Sequence, residues 1–167
     1  ARGGMGGSVE YQSNTLAAVS AKKLYGRYKM LHVPGQLRAE AAETLINEPD
    51  IKSIIEYLKN TDILIYGMGC AQEMASRRNF THTQCQSLEK LGAAGEAFGY
   101  FLNSEGDIVY ASKSIWLKMD DLKRIPTIMG VAGGKRKAQA IMAVLTHWRN
   151  SVLVTDEGAA REMVRLA

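Results

Sequence analysis

The run Thr127-Ile128-Met129-Gly130-Val131-Ala132-Gly133-Gly134-Lys135-Arg136-Lys137-Ala138 places an apolar segment, a glycine pair and a basic triplet in immediate succession. It reads as a strand, a tight turn and the first turn of a helix that continues to about Trp148. A helix N-terminus leaves backbone N–H groups without partners and carries partial positive charge. Paired glycines let a ligand approach the backbone closely. Lysine and arginine in that turn oppose the helix dipole, so helix stability does not account for them. A bound anion would, and phosphate is the usual one. A plain strand-to-helix turn with solvated lysines accounts for the same residues, and a Gly-Gly turn alone does not choose between the two.

Working outward from this run, strands alternate with helices. A helix is expected over Val9–Leu24, with Leu16, Val19 and Leu24 on one face beside Ala17, Ala18 and Ala21. A strand over Tyr28–Val33 follows, ended by Pro34-Gly35. Two helices are expected over Ala39–Ile46 and from Pro49, the second with Ile51, Ile54, Ile55 and Leu58 at helical spacing. Ile63–Tyr66 is a short apolar strand that runs into Gly67-Met68-Gly69. A strand ending in Gly-x-Gly can wall a ligand crevice, although the fuller dinucleotide fingerprint is absent. Short helices are expected over Ala71–Arg78 and Gln84–Leu91. Ala97–Leu102 reads as one strand, Asn103–Asp107 as a hairpin turn and Ile108–Tyr110 as the returning strand. Ser114–Leu117 reads as a further strand, and Leu117–Arg124 as a helical turn ended by Pro126. Val152–Val154 is the last strand, and Thr155 or Asp156 caps a final helix over Glu157–Leu166. This order predicts an α/β fold, a mostly parallel sheet flanked by helices with an antiparallel hairpin at one edge.

The chain has 167 residues and a formal charge of +4, enough for one domain with a core and compatible with an anionic ligand. Neither a zinc-finger pattern nor a basic tail points to nucleic acid. The two cysteines, Cys70 and Cys85, lack metal-ligand spacing and are expected as reduced thiols, so neither metal nor cofactor is expected. No apolar run is long enough for a membrane span, and no signal peptide is visible, which predicts a cytoplasmic protein. The opening Ala1-Arg2-Gly3-Gly4-Met5-Gly6-Gly7 reads as a functional loop cut open, hence a fragment.

Among individual side chains, Lys137 is the first candidate for a phosphate oxygen. Lys135 and Arg136 read as solvated. Arg2, in its glycine-rich loop, can fork onto phosphate or belong to a frayed terminus. Glu96, before an apolar strand, can accept sugar hydroxyls or act as an acid or base, and is equally an ordinary surface residue. Of the three histidines, His32 reads as a packed strand residue and His147 as a helix-end residue. Arg77 and Arg78 can touch an anion and read first as a solvated helix end. Nucleophile elbow, Walker loop and HExxH motifs are absent.

Several blocks in the same order also resemble a known family. They are Ala1–Gly6, Leu31–Gly35, Gly67–Ala71, Met74–Arg78, Gly95–Tyr100, Leu117–Leu122, Val131–Gly134 and Thr155–Ala160. They are similar to the effector-binding domain of SorC-family bacterial transcription regulators. The resemblance covers nearly the whole chain. It implies a phosphosugar isomerase/deaminase-like fold without catalysis, in a repressor of glycolytic genes released by a phosphorylated sugar, with fructose 1,6-bisphosphate the best guess. It implies that residues 1–167 form the effector-binding domain, without an upstream phosphate loop and an N-terminal DNA-binding domain. It implies a homo-oligomer, dimer or tetramer, that meets operator DNA only through that other domain. Carried over by matching blocks, Arg2, Gln12, Glu96 and Lys137 contact ligand; the glycines of the two turns read above, Gly67, Gly69, Gly133 and Gly134, are further ligand-binding candidates. Lys135-Arg136 stands where the family commonly has small residues. The rival expectations are a sugar-phosphate isomerase or deaminase using Glu96 as its base, and a pure oligomerisation module.

Overall fold

A computed structural model describes residues 12–33, 39–112, 117–148 and 151–167. The helices are α1 (Ser13–Lys23), α2 (Ala39–Asn47), α3 (Pro49–Lys59), α4 (Ala71–Arg77), α5 (His82–Lys90), α6 (Met119–Leu122), α7 (Ala138–His147) and α8 (Glu157–Leu166). The strands are β1 (Ile63–Gly67), β2 (Gly69–Cys70), β3 (Gly95–Ala97), β4 (Tyr100–Leu102), β5 (Ile108–Ala111), β6 (Thr127–Val131) and β7 (Val152–Val154). The chain divides into two compact units, residues 1–61 with 113–124 and residues 62–112 with 125–167.

In the first unit, α2 and α3 form as their periodicity predicts. Leu45, Ile51, Ile54 and Ile55 pack on the buried Leu31 and Val33. The expected strand over Tyr28–Val33 does not form. Leu31 and Val33 are buried while His32 between them is exposed, so the period-2 alternation is real. Alternation orients side chains, but a strand also needs a ladder partner, and these residues have none among the described ones. His32 is therefore not a packed strand residue. The helix at the start is shorter than expected: Gln12 is its N-cap, with an extended backbone. No residue of α1 is buried and Leu16 is 53% exposed, so the expected apolar face is not buried among the described residues. The strand expected over Ser114–Leu117 falls mostly outside the described residues, and the ambiguous Leu117–Arg124 segment contains the single helical turn α6.

The second unit is mixed α/β. A three-stranded parallel sheet has the order β1-β6-β7, and a separate four-stranded antiparallel sheet the order β2-β3-β4-β5. The hairpin expected at the edge of the parallel sheet thus belongs to its own sheet. The single strand expected over Ala97–Leu102 is two strands. Phe98 (φ 57°) and Gly99 (φ 90°) form a tight reversal between β3 and β4. Positive φ at both central residues suits the right-handed twist of a two-residue hairpin. An apolar run containing one glycine hides such a turn, because a left-handed phenylalanine is uncommon. The β4–β5 turn over residues 103–107 forms as expected, with Gly106 at φ 85°. Phe101, Leu102, Ile141 and Val144 are fully buried. β3 lies close on α7: a Cβ at Gly95 would stand 2.6 Å from the Ala140 carbonyl oxygen.

Candidate functional site

The parallel register brings three loops to one edge of the second unit. Gly67 pairs with Val131, and Val131 with Val154, so β1, β6 and β7 end level with one another. Gly67–Gly69, Ala132–Gly134 and Thr155–Asp156 leave the sheet side by side. The carboxyl edge of a parallel sheet is where α/β folds hold ligands, because helix N-termini and their free amides gather there.

The basic triplet forms a 3-10 turn, Lys135–Lys137, and α7 begins only at Ala138. Its three cations are treated differently. The Lys135 ammonium lies 3.5 Å from a Glu162 carboxylate oxygen on α8, and the Arg136 guanidinium 3.1 Å from Glu73 on α4. Both are rim contacts, with the Lys135 and Arg136 side chains 73% and 85% exposed. Such pairs are worth little individually, yet they hold the two side chains to neighbouring helices. Lys137 is half-buried and, among the described residues, makes no ion pair. Its charge acts on the Cys70 thiol, as does that of Arg136. Both work against burial, the main cause, and the Glu73 carboxylate, which raise that thiol above its ordinary value. The Cys70 Sγ lies 3.5 Å from the Arg136 carbonyl oxygen, and both cysteines are free.

The glycine pair meets a carboxylate of its own chain. Asp156 Oδ2 accepts the Gly134 N–H, and Oδ1 accepts the Ala159 N–H at 2.8 Å. These backbone donors, Ala159 first and Gly134 next, hold the Asp156 carboxyl below its ordinary value. Gly134 has φ 94°, a conformation that L side chains rarely adopt. A Cβ on Gly133 would collide with Asp156 Oδ2.

Glu96 is only 2% exposed, which excludes the surface reading. Its Oε1 accepts a hydrogen bond from Arg78 at 2.7 Å and another from the Gly99 N–H inside the β3–β4 turn. Arg78 is equally buried and is not part of a solvated helix end, whereas Arg77 is exposed. A buried carboxylate requires such a partner, since taking either charge alone out of water is costly. Glu96 pairs across the antiparallel ladder with Gly69, which joins the Gly-x-Gly turn to the hairpin. Oε1 is engaged by two donors and is not presented as a base. Gln12 belongs to the first unit, where it stands at the N-cap of α1, and Arg2 lies outside the described residues. His147 faces the Gly106 carbonyl oxygen at 2.8 Å, a tertiary contact in addition to its place at the helix end.

The sequence reads Asp156 only as a cap and Arg78 as part of a solvated helix end. No local signal marks either role, because their partners stand 22 and 18 residues away. A cavity of about 110 Å³ between α4 and α5, lined by Ala71, Ala75, Cys85 and Leu88 among others, touches none of the predicted site residues. It is small for a sugar phosphate. Among the described residues no helix is long and apolar enough to cross a membrane.

A parallel sheet whose carboxyl edge carries a glycine pair and a basic turn fits a class of proteins that hold anionic small molecules. Residues 1–165 match the family described as "Putative sugar-binding domain", and the chain belongs to that family. It is 42% identical over 165 residues to the central glycolytic genes regulator of Priestia megaterium and 43% identical to that of Bacillus subtilis. These alignments cover 99% of this chain and 48% of each relative, so the chain spans about half their length. A "putative SorC family transcriptional regulator" of Enterococcus faecalis superposes with a TM-score of 0.87 at 37% identity, over 98% of this chain and 66% of that one. The chain is thus a sugar-binding domain of the kind carried by SorC-family transcriptional regulators.

Proposed function

We propose that this domain senses a phosphorylated sugar, best fructose 1,6-bisphosphate, for a bacterial repressor of glycolytic genes. It acts without catalysis, inside a longer cytoplasmic protein whose separate domain meets operator DNA. The observation that carries the reading is Lys137: a half-buried ammonium without an ion pair among the described residues, at the carboxyl edge of a parallel sheet, directly after two cations that are already paired. A phosphate oxygen supplies the missing charge there. The names of the relatives supply the glycolytic context. Glu96 is the proposed partner of sugar hydroxyls, with Gly67, Gly69, Gly133 and Gly134 lining the approach. Arg2 and Gln12 stand as further contacts on the family resemblance. Ligand binding would shift the balance between states of a homo-oligomer that differ in operator affinity.

Titration calorimetry with fructose 1,6-bisphosphate tests this. Lys137→Ala should weaken binding by about 1.5–3 kcal/mol, the cost of one charged hydrogen bond. Unchanged affinity would remove Lys137 from the site.

A further inference from the structure

We propose that Asp156 is a positioning residue of the sugar-phosphate site: its carboxylate fixes the Gly133–Lys137 turn from which Lys137 reaches the ligand. This rests on the reading of Lys137 given above. Three observations meet at this side chain. Oδ2 accepts the Gly134 N–H, and Oδ1 accepts the Ala159 N–H at the start of α8. One carboxylate therefore ties the loop after β6 to the helix after β7. Gly133 is shaped around the same oxygen, since any Cβ there would displace it. Gly134 at φ 94° then turns the chain, and its carbonyl accepts the Lys137 N–H at 2.9 Å. The path from Asp156 to the backbone of Lys137 is two hydrogen bonds through one glycine.

A second tie runs parallel to the first. Glu162, on the same helix, lies 3.5 Å from the Lys135 ammonium and also binds Arg165. Two carboxylates, the N-cap of α8 and Glu162 within it, thus hold the basic turn, one by its backbone and one by a side chain. An unbraced turn carrying Lys135, Arg136 and Lys137 in succession would spread by like-charge repulsion and present Lys137 in many orientations. Ordering it would then fall to the ligand and would cost affinity.

The cap and the brace are separable. A serine hydroxyl can cap α8 but is too short to reach Gly134 as well, so Asp156→Ser keeps the helix start and cuts the tie. In the full-length protein, D156S should melt within a few degrees of wild type. Its Gly134 amide should exchange with solvent faster, and its Kd for fructose 1,6-bisphosphate should rise about fivefold. Should D156S melt early, Asp156→Asn, which keeps the shape and one acceptor oxygen, becomes the variant on which affinity is judged. A freed Gly134 amide with wild-type affinity overturns the positioning role and leaves the sensor reading intact. Wild-type protein that binds neither fructose 1,6-bisphosphate nor inorganic phosphate overturns both.

Discussion

At the scale of single residues, charge is sorted by burial. Arg78 and Glu96 form a buried ion pair with further hydrogen bonds to Ser112 and the Gly99 N–H, while Lys135 and Arg136 sit in exposed rim pairs. The energetic consequences differ. Removing one member of a buried pair strands the other without water, whereas a rim pair is replaced by solvent. Arg78→Ala should therefore destabilise the second unit by about 3–5 kcal/mol, read as a lower urea midpoint. A loss below ~1 kcal/mol would mean that water reaches Glu96. Glu96 shows how residue type misleads about burial: a glutamate beside a glycine suggests the surface, and only the fold reveals that it is buried with one oxygen on the β3–β4 turn.

Among the elements, β3 is the joint. It pairs with β2 and with β4, and its Gly95 lies against α7, the helix that follows the basic turn. Gly95→Ala would push β3 away from Ala140. The expected loss is about 1–3 kcal/mol, typical of overpacking, measurable as a drop in melting temperature. A melting temperature equal to wild type would show that the sheet can slide to make room. The helices α2, α3, α4, α7 and α8 were legible because each carries periodic apolar residues or cap chemistry. The β3–β4 hairpin was not legible. Its turn residues, Phe98 and Gly99, sit inside a continuous apolar run, and the left-handed phenylalanine is held by the Glu96 hydrogen bond to Gly99.

For the whole molecule, the sensor reading makes a thermodynamic demand. A ligand that binds only the folded state must stabilise it, by about 2.7 kcal/mol when its concentration is 100 times Kd. A thermal-shift panel of glycolytic phosphosugars on the full-length protein should raise the melting temperature with fructose 1,6-bisphosphate most. A flat response across the panel would favour a domain that only assembles. Larger shifts with hexose monophosphates or triose phosphates would change the effector and keep the class.

The alternation of the parallel strands β1, β6 and β7 with helices, the glycine pair and the cationic turn were written in the sequence, because periodicity and turn chemistry are local. The resemblance to a sugar-binding family was equally legible, since it rests on blocks read in order. Tertiary structure alone decided which cation of the basic turn has no ion pair among the described residues, that Glu96 is buried against Arg78, and that Asp156 holds Gly134. Each of these depends on residues far apart in the chain meeting at one strand edge or turn. Register and burial set such meetings, and neither is a property of any short stretch of residues.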